Sequence, residues 1–166
     1  MNIFFLHYVP QISALYHCDK HVVKMAVETA QLLATAHHQH GNGANVTYKP
    51  THVNHPSAIW ARESRLHYDY LVDLGLALCK EYRRRYDNTH ACHKLFVGEL
   101  QYCPPEMSKL PLLWKDPPQC MPDECKRETT LQGYREYYRY KRTIMDMAWY
   151  KNEGSYTPPF MELEHA

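Results

Sequence analysis

Between residues 17 and 35, polar and apolar positions separate onto two sides of a helical repeat. His17, His21, Lys24, Glu28, Gln31 and Thr35 step by three or four residues along one side, and Val22, Val23, Ala26, Ala30 and Leu33 fall on the other. That spacing predicts an amphipathic helix over about 12–37. The apolar, aromatic stretch NIFFLHYV precedes it and reads as a buried strand or extended segment, closed by Pro10. After a breaker-rich loop at 37–56, Asn54 is placed to cap a second helix with Pro56 in its first turn. Trp60, His67, Leu71, Leu74, Leu78 and Tyr82 share its stripe, which carries the helix to about residue 86, where EYRRRYD puts cations in the last turn.

Six of the eleven prolines lie between 98 and 126, so this part is read as an irregular wrap over the core. A third helix is expected over about 124–151, followed by an extended tail, GSYTPPFM. The fold class is therefore mainly α: a compact three-helix domain with an extended N-terminal segment and a Pro-rich irregular wrap. A length of 166 residues fits a single domain, 1–166, with a real core.

Composition narrows the classes. With 45% apolar residues the chain is a folded protein, and a net charge of +1 selects no partner by itself. No run reaches the roughly 18 apolar residues of a membrane span, and the N-terminus has neither the basic start nor the apolar core of a signal peptide. A cytoplasmic protein with reduced cysteines is expected, with no membrane partner. Six cysteines and twelve histidines raise the question of metal, and His17 and His21 have the i, i+4 spacing of a ligand pair. There is no Cys-x-x-Cys pair and no spacing of a structural zinc module, so no metal site and no cofactor are assigned.

Charge is distributed unevenly. Over 133–151, Arg135, Arg139, Lys141, Arg142 and Lys151 interleave with tyrosines and with Trp149 and Tyr150, against two acids. Cations that neutralise phosphates beside aromatic faces that stack on bases suit DNA. A core helix whose tyrosines pack inward while its cations reach solvent has the same pattern. Lys24 and Glu28 likewise have two readings. An i, i+4 ion pair contributes a few tenths of a kcal/mol. An amine beside a carboxylate is also what imine chemistry at a sugar requires.

The order of short motifs is similar to that of the pyrimidine-dimer DNA glycosylase family, the endonuclease V type of phages. The matching pieces are MNIFFLH at the start, DKHVVKMAVET on the first helix, NHP opening the second, EYRRRYD closing it and WYK near the end. The resemblance implies a three-helix domain whose N-terminal segment threads between helices, acting in the host cell on DNA with one base flipped out. It implies Glu28 as the carboxylate needed for glycosyl-bond cleavage and the α-amine of the chain, here Met1, as a nucleophile that forms a Schiff base with the sugar and supports strand cleavage. Ala26-Val27 stand where the family has an aromatic–Arg pair, and Asn2 favours retention of Met1. Lys24 is the alternative nucleophile, although α-amines as a class are neutral to a far greater extent at neutral pH than lysines.

On this reading Glu28, Met1 and Lys24 are catalytic. His17, His21, Asn54, His55, Arg62 and Arg65 contact substrate, with the helix start at 54–55 favouring a phosphate. Arg135, Arg139, Lys141, Arg142, Trp149, Tyr150 and Lys151 contact DNA. A non-catalytic nucleic-acid-binding protein, and a metal-dependent enzyme built on His17 and His21, remain open alternatives.

Overall fold

The computed structural model describes residues 1–151 and 157–162, and among these the chain is mainly helical with no β-strand. The first predicted helix is two: α1 (Pro10–Tyr16) and α2 (Asp19–Gln39). The break at His17 and Cys18 exposes backbone groups that distant side chains then satisfy. Buried Arg85 donates to the carbonyls of His17 (2.7 Å) and Leu15 (2.9 Å) and pairs with Asp19 at 3.2 Å and Glu81 at 3.0 Å. The Tyr138 hydroxyl accepts from the Cys18 N–H at 3.1 Å.

The second predicted helix is also divided, into α3 (Pro56–Glu63) and α4 (Arg65–Tyr86). Ser64 causes the division: its backbone is extended and its hydroxyl accepts from the Leu66 N–H, which starts α4 anew. His55, and not the predicted Asn54, caps α3, its Nδ1 accepting from the Ser57 N–H at 3.1 Å. Asp87 ends α4 in the left-handed region at φ 51°, its N–H donating to the Arg83 carbonyl. The long apolar stripe holds: Trp60, His67, Leu71, Leu74 and Leu78 are buried. Val23, placed on the inner side of α2 by its spacing, is 38% exposed.

A short α5 (His93–Val97) docks on α4, where the Phe96 ring occupies the space above Gly75 that any Cβ would fill. The wrap lacks long helices, as its prolines require. It is fixed by side chains of α3 and α4 and by Thr130: Trp60 Nε1 donates to the Lys115 carbonyl at 2.8 Å, His67 accepts from the Lys115 N–H, and the Thr130 hydroxyl donates to the Pro117 carbonyl.

The third predicted helix is shorter than its pattern. α6 (Thr130–Arg142) begins at a capping box of Thr129 and Gln132, and Asp123–Cys125 form a separate 3-10 turn behind Pro122. Residues 146–150 are extended against the start of α2, with Asp19 N–H donating to the Ala148 carbonyl at 2.8 Å and Trp149 Nε1 to the Tyr16 carbonyl at 2.9 Å. Of the predicted tail, 154–156 lie outside the described residues, and Pro159–Met161 form a 3-10 turn. α2 packs on α3 and α4, α1 on α4, and the N-terminal residues Ile3, Phe4, Phe5 and Leu6 run through the middle with at most 5% exposure.

Candidate active site at the chain terminus

The terminal amine is aimed by the residue beside it. Asn2 donates through Nδ2 to the Cys120 carbonyl at 2.8 Å, while its Oδ1 accepts from the Ile3 N–H and from the Tyr134 hydroxyl at 2.5 Å. Asn2 thus ties the terminus to the wrap and to α6 at once. Further on, the Leu6 N–H donates to Ser13 Oγ and Arg135 Nε donates to the Leu6 carbonyl at 3.1 Å. Phe4 sits at φ 53°, a left-handed conformation that L-residues avoid and that tertiary packing must impose. The outcome is an ion pair between the Met1 amine and Glu28 Oε1 at 3.6 Å, with the two side chains only 2% and 15% exposed.

Glu28 reaches the amine from the polar row of α2; His21 lies two turns before it on that row, and His17 lies at the α1–α2 break. His17, at the α1–α2 break, is fully buried. Its Nδ1 lies 2.6 Å from the Ser13 carbonyl and must carry the proton, which leaves Nε2 deprotonated and without a partner. Burial lowers its pKa to about 4. His21 Nδ1 is 2.8 Å from the Tyr138 hydroxyl, and its ring lies 4.5 Å from that of Phe4. Burial, then the charges of His17, Lys141 and Lys24, lower its pKa to about 3. Both imidazoles are therefore neutral at neutral pH and act as walls. Lys24 is exposed on the same row.

His55 approaches from α3. Its Nδ1 is committed to the helix cap, so Nε2 carries the proton. Its pKa is lowered by burial first, then by the positive charges of the terminal amine and His52, while Glu28 opposes the shift. The imidazole is thus within electrostatic reach of both members of the ion pair. Asn54 is exposed beside it. Arg62 donates to the Val53 carbonyl at 2.8 Å and holds the 37–56 loop, and Arg65 pairs with Asp69 at 3.9 Å on the surface of α4.

The basic and aromatic residues of the C-terminal region divide into two groups. Three cations hold the protein together: Arg135 binds the Leu6 carbonyl, Arg139 binds Glu136 and the Phe160 carbonyl, and Arg142 binds the Met161 carbonyl. Trp149 is buried. Tyr150 is 75% exposed, and Lys151 lies over the Tyr86 ring. Lys141 stands over the rings of Phe4 (5.6 Å) and Tyr137 (5.0 Å), on the side of α6 that faces Lys24 and Glu28.

Among the described residues, no group of three or more His, Cys, Asp or Glu side chains is placed to hold a metal ion. Nor is any helix long and apolar enough to cross a membrane. Two contributors had no signal of their own in the sequence: Asn2, as the anchor of the amine, and Tyr138, one of many tyrosines in α6. A family model described as pyrimidine dimer DNA glycosylase matches residues 1–94. No curated protein and no solved structure matches the chain.

Proposed function

Because the chain belongs to the pyrimidine dimer DNA glycosylase family, we propose that it acts on DNA, as one domain, at the glycosidic bond of a damaged or modified pyrimidine. The observation that carries this reading is the 3.6 Å pairing of the Met1 amine with Glu28 in a largely shielded position. A surface ion pair would not need three hydrogen bonds at the Asn2 side chain and a strained Phe4 to build it.

The amine nitrogen, once neutral, bonds to C1′ of the sugar as the bond from C1′ to the base breaks. The base leaves with that electron pair and is protonated. Loss of the proton from nitrogen and opening of the sugar ring give a Schiff base between the chain terminus and C1′. From that intermediate, loss of a proton from C2′ and departure of the 3′ phosphate cleave the strand. Glu28 stabilises the positive charge that builds at the sugar and takes the proton released by the amine. His55 stands beside the pair, within electrostatic reach of both the amine and Glu28.

Replacement of Glu28 tests the reading. Glu28→Gln is nearly isosteric and should keep the fold and DNA affinity, yet reduce base release by about 10²–10⁴. A shielded salt bridge of purely structural value would instead lower stability when broken and leave turnover intact. Glycosidic-bond cleavage on ultraviolet-irradiated DNA, read as abasic-site formation because the cleaved base of a dimer stays joined to its neighbour, with affinity measured on the same duplex, separates the two.

A further inference from the structure

Three ammonium groups lie near Glu28: the Met1 amine at 3.6 Å, Lys24 one turn before it on α2, and Lys141 of α6, on which Glu28 and Lys24 both act. The Met1 amine takes Glu28, and Lys24 and Lys141 remain, close enough to each other that the charge on Lys24 acts on Lys141. Neither lysine is ion-paired among the described residues. Two like charges at a cleft repel, and the fold does not relieve this: Lys141 is half-buried and held above two ring faces, those of Phe4 and Tyr137. Phe4 is itself clamped, tilted against His21 at 4.5 Å on one side and stacked on Tyr137 at 5.8 Å on the other, with its backbone in the left-handed region. Burial first and then Lys24 push the pKa of Lys141 down, while Cys18 and Glu28 oppose the shift. A site with a surplus of fixed positive charge on a preorganised aromatic floor is complementary to an anion placed between the two lysines.

Resting on the DNA reading above, we propose that Lys24 and Lys141 form a shared seat for one phosphodiester group, the one flanking the sugar that meets the Met1 amine. Phe4 and Tyr137 are positioning residues that hold the Lys141 ammonium over the cleft. The seat places the sugar by its phosphate, so that C1′ is presented to an amine whose own freedom Asn2 has removed.

The test uses a duplex with a tetrahydrofuran abasic site, which carries the phosphates but has no C1′ hydroxyl and forms no Schiff base. Affinity is measured from 50 to 200 mM KCl for the wild type, Lys24→Met, Lys141→Met, the double variant and Lys141→Arg. One shared phosphate predicts that the double variant has a log–log salt slope shallower by about 0.9. Over that fourfold rise in salt it should therefore lose about 3.5-fold less affinity than the wild type. Lys141→Arg should keep the wild-type slope. A decrease of about 1.8 would mean two separate phosphates, and no decrease would mean none; either overturns the seat. Lys24 is exposed, so Lys24→Met leaves Phe4 undisturbed, and because the phosphate is shared its slope should fall by less than that of the double variant; a double variant no shallower than Lys141→Met alone would remove Lys24 from the seat and overturn the proposal. Because this probe cannot react, failure of base release would overturn the catalytic reading alone and leave the slope result standing.

Discussion

At the scale of the residue, burial decides what the polar row of α2 does. His17 and His21 share the row with Glu28, but desolvation makes them neutral, with pKa values near 4 and 3 against an ordinary 6.5. In the unfolded chain both bind a proton at pH 5, whereas in the folded protein neither does. Stability is therefore complete above pH 6.5 and is lost as pH falls from 6.5 towards about 4, by about 1.4 kcal/mol per pH unit for each histidine. Urea denaturation between pH 7 and 4.5 should show this slope, and His21→Phe should remove about half of it. The alternation of polar and apolar positions located Glu28 in the sequence. Which members of the row face water and which are walled in depends on Phe4 and Tyr138, more than ten and a hundred residues away respectively, and periodicity carries no information about them.

Among the elements, breaks with a local cause could be found in the sequence and breaks with a distant cause could not. Ser64 is a serine followed by a new apolar run, an N-cap signal overridden in the reading by the continuous stripe from Trp60 to Tyr82. Thr129 and Gln132 likewise form a capping box that marks the start of α6. The break between α1 and α2 has no such mark, because its carbonyls are satisfied by Arg85 and its amide by Tyr138. Ser64→Ala should lower stability by about 1 kcal/mol, measured by chemical denaturation, with the helix content of the folded state unchanged. A cost near zero would mean that tertiary packing alone defines the start of α4.

For the whole molecule, the residues matched by the family model end at 94, yet the site is completed from beyond them. Cys120 and Tyr134 hold Asn2, and Lys141 lies over the Phe4 ring. The basic-aromatic stretch therefore serves assembly of the fold. Replacing Arg135, Arg139 and Arg142 together with Ala should cost several kcal/mol, because each donates a charge-assisted hydrogen bond to a carbonyl. The same variant should flatten the salt dependence of DNA binding by less than about 0.9 per residue, since these cations are already engaged within the fold. Paired denaturation and salt titrations read both effects. The central claim, that the chain's own α-amine is the reacting group, is tested most directly by locating the covalent bond. The protein is incubated with DNA carrying an aldehydic abasic site, reduced with borohydride and digested, and the peptide bearing the sugar is identified by mass spectrometry. The account predicts the adduct on the α-nitrogen of Met1. An adduct on Lys24 or another lysine, or no adduct under conditions where the DNA is bound, would contradict it.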